Sequence, residues 1–236
     1  MRTTMRIETS SGLRVEPLSG ECDRILRRGD HGMIGVSLAN SYFSPDRLAV
    51  LMKWALSFFD RVEVVYVDAA LDEMYIANGR TTESAEKSVK GRVRDVRRTI
   101  RRAMEGLDSE MDRLHVRALT DLIPTSAYQA VRAETDQALE HDPDLAPICS
   151  QMVNDVVASR LGDADSVTPD HLRAGLNYVK AEAPIMVDSP SIFDVPSSVS
   201  VYHRSMPIFE YFAMRKGRFS AAHNQGYVTV TPAAEG

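Results

Sequence analysis

Met33-Ile34-Gly35-Val36-Ser37-Leu38-Ala39-Asn40 runs from an apolar pair through a glycine to a serine, with an asparagine three residues on. An apolar run that ends in a hydroxyl reads as a buried strand delivering Ser37 at its carboxyl end. That is the edge where an open α/β sheet meets its ligands. Gly35 carries no Cβ, so a bound group can come close to the backbone there. Asn40 offers a side-chain amide to a polar substrate. The same residues admit a plainer reading, a strand-ending serine that satisfies its own turn.

Working outward, Met33 to Ser37, Val62 to Asp68, Leu114 to Leu119, Ile185 to Asp188 and Val199 to His203 are short and nearly all apolar. That pattern predicts parallel strands covered on both faces. Helical periodicity fills the gaps, over Pro45 to Phe59, Glu83 to Gly106, Ser126 to Glu140, Leu145 to Arg160 and Pro169 to Ala183. Thr168-Pro169 is a helix opening, threonine as cap and proline in the first turn. Strands alternating with helices predict an α/β fold, a Rossmann-like doubly wound and mostly parallel sheet. The stretch from Asp188 to Ser198 holds two prolines and several serines and reads as irregular. One catalytic domain over 18–236 is expected, preceded by a poorly ordered segment over 1–17.

A chain of 236 residues suits one well-buried α/β domain. Cys22 and Cys149 stand far apart without metal-ligand spacing, and His31, His171 and His223 show none either, so no metal is expected. There is no signal-like apolar start and no run long enough to cross a bilayer, which makes a cytoplasmic setting the expectation. The net charge of −5 hides an uneven distribution, because Lys87 to Arg102 holds eight basic residues against Asp95 alone.

On a helix, Val89, Val93, Val96, Ile100 and Met104 form an apolar stripe. Lys87, Lys90, Arg94, Arg97, Arg98, Arg101 and Arg102 occupy the other face. So many cations on one arc repel one another, and a solvated face would normally carry interleaved glutamates. The pattern points to a polyanion, with contacts to nucleic-acid phosphates rather than bases, since no aromatics are interspersed.

Two further segments bear on Ser37. Asn177-Tyr178-Val179-Lys180-Ala181-Glu182 puts a phenol and a carboxylate at i and i+4, on one face of a helix. Val199-Ser200-Val201-Tyr202-His203 ends a strand in two proton-handling side chains. Ser37, Asn40, Tyr178, Glu182, Tyr202 and His203, with the stretches from His31 to Ser44 and from His171 to Pro184, resemble the cyclodipeptide synthases. More narrowly they resemble the branch with Asn, Tyr and His at Asn40, Tyr202 and His203. Val64-Val65-Tyr66-Val67-Asp68, Asp72-Glu73-Met74, Tyr128 and Ala174-Gly175-Leu176-Asn177-Tyr178 belong to the same likeness, which runs from Leu18 to Val230.

The resemblance implies a fold akin to the catalytic domain of class I aminoacyl-tRNA synthetases. It implies a reaction in which two aminoacyl-tRNAs give a 2,5-diketopiperazine, with the basic helix taking tRNA. The amino acids would arrive as activated esters, so neither ATP nor any other cofactor is expected; the chain has no P-loop, no Gly-x-Gly-x-x-Gly turn and no His-Ile-Gly-His or Lys-Met-Ser-Lys-Ser stretch. By the same likeness Ser37 takes the first aminoacyl group as an ester. Tyr178 and Glu182 hold its ammonium, with Glu182 as general base. Asn40 and the Gly35 backbone orient the acyl group, and Tyr202 relays a proton with His203 behind it in a supporting role.

Met33, Val65, Leu119, Ile185, Ser200 and Met206 would line the pocket for the first side chain, and Tyr128 would stand near the substrate. Met152, Asp155 and Ser159 on one helix, with Arg204 and Ser205 nearby, would form the second pocket. All of the first set except Ser200 are apolar, which suits a hydrophobic or small first residue. Arg204 could pair with an acidic second side chain or be a plain surface arginine. A monomer is expected. Two competing readings stay open: a serine hydrolase, with Gly35-Val36-Ser37-Leu38-Ala39 as the elbow and Asp188 and His203 following in order, and a non-catalytic tRNA-binding protein.

Overall fold

The computed structural model describes residues 7–8, 12–38, 40–107 and 112–233, so Ala39 lies outside the described residues. Among these, seven strands form one sheet: β1 (Ile7–Glu8), β2 (Leu13–Pro17), β3 (His31–Ser37), β4 (Arg61–Val67), β5 (Leu114–Ala118), β6 (Ser198–Tyr202) and β7 (Gln225–Pro232). Their order is β1-β2-β7-β6-β3-β4-β5. The five strands from β7 to β5 are parallel, while β1 and β2 run antiparallel at one edge. The fold class is the expected one.

The chain leaves β3 toward β4 and β5, then returns to the other side of β3 with β6 and β7. The gap between β3 and β6 is therefore where the winding reverses, the place where an open α/β sheet forms its binding crevice. Period-two alternation then sorts the side chains. Ile34 and Val36, with Val62, Val64, Tyr66, Val199 and Val201, pack against α2 (Pro45–Phe58) and α4 (Thr82–Met104). Met33, Val65 and Val67 face the other way, toward α5 (Leu119–Leu122), α6 (Ser126–His141) and α8 (Pro169–Val187). Ser37 shares the row of Met33 and Gly35. Between β4 and α4, α3 (Leu71–Ala77) lies near the carboxyl edge; α1 (Gly20–Leu26) precedes β3.

Several expectations are corrected. Ile185 to Asp188 is not a strand: Ile185-Met186-Val187 is the last turn of α8, which continues through Pro184. Those residues are all apolar because the turn is enclosed on every side, with Ile185 against Met33 and Val65 and Met186 and Val187 against α7 (Leu145–Leu161). A short apolar run cannot by itself distinguish that situation from a buried strand. The segment from Asp188 to Ser198 holds a further short helix, α9 (Ser189–Phe193), capped by Asp188 Oδ1 accepting from the Ser191 N–H at 3.0 Å. Leu13–Pro17 is an ordered strand paired with β7, against the expectation of a loose start; residues 1–6 and 9–11 lie outside the described residues. β7 itself, with Tyr227-Val228-Thr229-Val230, carries strand-forming residues that the expected strands did not include.

Two local devices fix α8, which carries Tyr178 and Glu182. Thr168 Oγ1 accepts from the His171 N–H at 3.3 Å while His171 Nδ1 accepts from the Thr168 N–H at 3.2 Å, closing the amino end. Gly175 lets α7 approach, because a Cβ there would sit 2.4 Å from Val153 Cγ1. At the amino end of the sheet, Glu63 has no accessible surface and meets His31 Nε2 at 3.1 Å and the Arg61 guanidinium at 2.6 Å. Ser198 Oγ lies 2.7 Å from His31 Nδ1.

Candidate active site

Ser37 ends β3 and Tyr202 ends β6, so the reversal of winding sets their side chains next to each other. The Ser37 Oγ and the Tyr202 hydroxyl are 3.2 Å apart. α8 crosses the same face and brings Tyr178 to Ser37 as well, with Glu182 one turn further along. Tyr178, Glu182 and Tyr202 each keep some surface at the bottom of a crevice, although protein surrounds them on the other sides.

That enclosure sets the electrostatics. Burial pushes the Glu182 carboxyl up to about 7, and no cation among the described residues offsets it. Burial, and then the neighbouring Glu182 charge, push the Tyr178 phenol well above its usual range despite its hydrogen bond with Ser37. Tyr202 is raised chiefly by burial, against the hydrogen bond with Ser37 that favours its ionised form. Both phenols are neutral at physiological pH. A carboxylate without a cationic partner, beside a serine and two neutral phenols, can receive an ammonium group and exchange a proton with it.

Asn40 Oδ1 accepts from the Tyr42 N–H at 3.0 Å, which turns its NH2 toward Tyr202. His203 stacks on Tyr42 with ring centroids 4.1 Å apart and meets Phe43 edge-on. Burial first, then Arg204, hold His203 down to about 4, so it is neutral, and its Nδ1 has no hydrogen-bond partner among the described residues. It stands behind Tyr202, 4.3 Å between centroids. The aromatic pair Tyr42-Phe43 that seats His203 was not singled out from the sequence, although its position five and six residues after Ser37 was a usable signal.

The hydrolase reading fails on this geometry. Among the described residues no histidine bonds Ser37, and Asp188 is engaged in capping α9.

Met33, Val65, Leu119 and Ile185 come together in one buried cluster beside Tyr178. Over Gly35 a built Cβ would meet no heavy atom within 4 Å, so the row from Met33 to Ser37 has open space above its middle. Ser200 pairs in register with Met33. Met206 packs against a second cluster, that of α7 and α10 (Pro207–Met214), which Tyr202 also touches. Tyr128 has no exposed surface and its hydroxyl donates to the Ala181 carbonyl at 2.6 Å. It braces α8 from behind rather than lining the open space.

Asp155 and Ser159 are exposed on α7, where Asp155 accepts from Gln151 Nε2 at 2.7 Å. Arg204 and Ser205 are exposed just past β6, and Ser205 donates to Glu210 at 2.7 Å. Among the described residues no hydrogen bond or ion pair joins these four to Ser37, Tyr178 or Glu182, although the Arg204 charge reaches Tyr202 and His203.

On the opposite face of the sheet, Lys87, Lys90, Arg94, Arg97, Arg98, Arg101 and Arg102 are all exposed along α4. Its buried stripe is Ala85, Val96, Ile100 and Ala103, while Val89 and Val93 are half-buried and line a groove of about 600 Å³ with Lys90, Arg94, Arg97, Arg98, Arg101 and Asp68. Asp68 directly follows Val67, the register partner of Ser37, so this groove reaches the same carboxyl edge. Tyr66 accepts from Arg97 Nε at 2.7 Å and holds that guanidinium over its ring.

The family model for "Cyclodipeptide synthase" matches residues 13–232. The chain is similar to the cyclo(L-leucyl-L-phenylalanyl) synthase of Streptomyces noursei, 47% identical over 94% of this chain and 92% of the relative. A crystal structure of a cyclo(L-leucyl-L-phenylalanyl) synthase superposes with a TM-score of 0.88 at 46% identity, covering 94% of this chain and 99% of the other. A Mycobacterium tuberculosis protein, described as demonstrating that cyclodipeptide synthetases are related to type I tRNA synthetases, superposes with a TM-score of 0.87 at 34% identity, over 98% of each chain.

Proposed function

The chain belongs to the cyclodipeptide synthase family, and from that premise we propose that it draws both amino acids from tRNA esters and holds the first on Ser37. It is an enzyme, an aminoacyltransferase that forms a cyclic dipeptide. The observation that carries the covalent reading is the unpaired Glu182 carboxyl, raised to about 7, in the crevice that holds Ser37 and Tyr202.

In the first step Ser37 Oγ bonds the ester carbon and the ribose oxygen leaves. Tyr202 accepts the serine proton and passes its own toward the leaving oxygen. The α-ammonium of the held residue then sits against Glu182. An α-amino group titrates near ~7.7–8.0 and Glu182 near 7, so moving the proton to the carboxylate costs little. The freed amine attacks the second ester, a C–N bond forms and the second ribose oxygen departs with a proton. The dipeptide's own amine finally attacks the Ser37 ester, closing the ring and returning the proton to Ser37 through Tyr202. Closure is intramolecular, so positioning supplies much of its rate. The esters arrive activated, which leaves ATP no role.

The groove of α4 supports docking of the tRNA backbone, its cations leading to the carboxyl edge where Ser37 stands. Incubation with charged tRNA followed by peptide mass spectrometry tests the reading. The aminoacyl mass should appear on the Ser37 peptide, and Ser37→Ala should lose both label and diketopiperazine. Label on another residue, or product without label at Ser37, overturns it.

A further inference from the structure

Gln225, on β7, is fully buried, and its amide orientation is fixed from both ends. The Ser189 N–H can only donate, and it meets Oε1 at 3.0 Å. That leaves Nε2 on the other side, where its protons go to the Gly226 carbonyl at 3.0 Å and to Ser200 Oγ at 3.1 Å. Ser200 is therefore forced to accept. Its own proton must go to some other atom, and among the described residues none takes it. Ser200 is 2% exposed, and buried donors are almost always satisfied.

The direction of that unused donor follows from the sheet. Ser200 stands opposite Met33, on the face of β6 that also presents Tyr202. One step further along the register is Gly35, with open space where a side chain would be. The other walls, Met33, Val65 and Ile185, are apolar.

We infer that Gln225 sets Ser200 as a hydrogen-bond donor to the first substrate's side chain, so the pocket selects an apolar stem tipped with an acceptor. A phenol oxygen and a thioether sulfur share that chemistry. Gln225 acts as a positioning residue, through Ser200. This rests on the covalent role of Ser37 proposed above.

The test measures single-turnover acylation of Ser37 in the full chain with matched tRNA pairs: tyrosyl against phenylalanyl, and methionyl against norleucyl. An acceptor-tipped residue should acylate about tenfold faster than its apolar twin in at least one pair. The pair that shows the preference names the acceptor. Ser200→Ala should bring the ratio toward one, Ser200→Thr should keep it, and Gln225→Met should reduce it, all at matched folded protein by circular dichroism. A general loss of packing slows both members of a pair and leaves their ratio unmoved. A wild-type ratio near one in both pairs, or a preference that survives Ser200→Ala, overturns the inference. No acylation from any tRNA counts against the Ser37 reading instead, so the two failures are distinguishable.

Discussion

At Gly35 a side chain has room in the fold but not in the proposed reaction. A Cβ there would touch nothing within 4 Å and the backbone φ is not positive, so Gly35→Ala should fold with a melting temperature at or slightly above the parent's. The methyl group would occupy the space proposed for the first aminoacyl group, so kcat/KM should fall at least tenfold. Equal activity, or a lost fold, would contradict this. Glu182 presents the converse case. Its carboxyl titrates near 7 in the fold against 4.5 ordinarily, so ionising it costs stability. The cost is absent below pH 4.5, grows as pH rises, and is complete above 7. Allowing for the crevice's access to water, Glu182→Gln should stabilise the protein by about 1–2 kcal/mol at pH 8 and by nothing at pH 4. Urea melts at the two pH values check it. Activity of the parent should fall tenfold per pH unit below 7, since the base must be deprotonated.

At the scale of elements, α4 is held by few buried groups, Ala85, Val96, Ile100 and Ala103, and presents its cations to solvent. Arg98 pairs with Asp95 at 3.1 Å, but Arg94 and Arg101 have no ion pair among the described residues and line the groove beside Val93. Replacing both with alanine should weaken tRNA binding and lower the slope of log K against log salt by about 2, one per lost phosphate contact. Stability should be unchanged or higher, because like charges one turn apart are separated. A salt titration with an unaltered slope would remove α4 from the interface. The basic run was readable in the sequence because charge placement on a helix is local. The burial of α8's last turn was not, because enclosure depends on which elements close over it.

Across the whole molecule, the active edge of the sheet is opposed by the network at its amino end. Burial alone would raise Glu63, but hydrogen bonds from His31 and Arg61 prevail and hold it at about 2. His31 is held neutral, mainly by burial, and donates from Nε2. Both act in the same direction. Stability should fall as pH drops below about 6.5, where unfolded histidine gains a proton, and more steeply from 4.5 toward 2, where unfolded Glu63 is protonated first. Glu63→Gln leaves the half-exposed Arg61 guanidinium without its carboxylate, so it should cost about 2 kcal/mol at pH 7 and flatten that acid limb. Thermal melts from pH 3 to 8 measure both, and parallel curves for parent and variant would refute the assignment.

By itself the sequence determined the α/β class, five helices to within a few residues of their ends and the basic face of α4, and it singled out Ser37, Tyr178, Glu182 and Tyr202, which the fold sets side by side. Each depends on local patterning or on a likeness carried by short stretches. Only the tertiary structure decided that β7 and β2 extend the sheet, that Tyr128 is a brace and that Gln225 bonds Ser200. Those facts arise from contacts between residues far apart in the chain, which packing alone specifies.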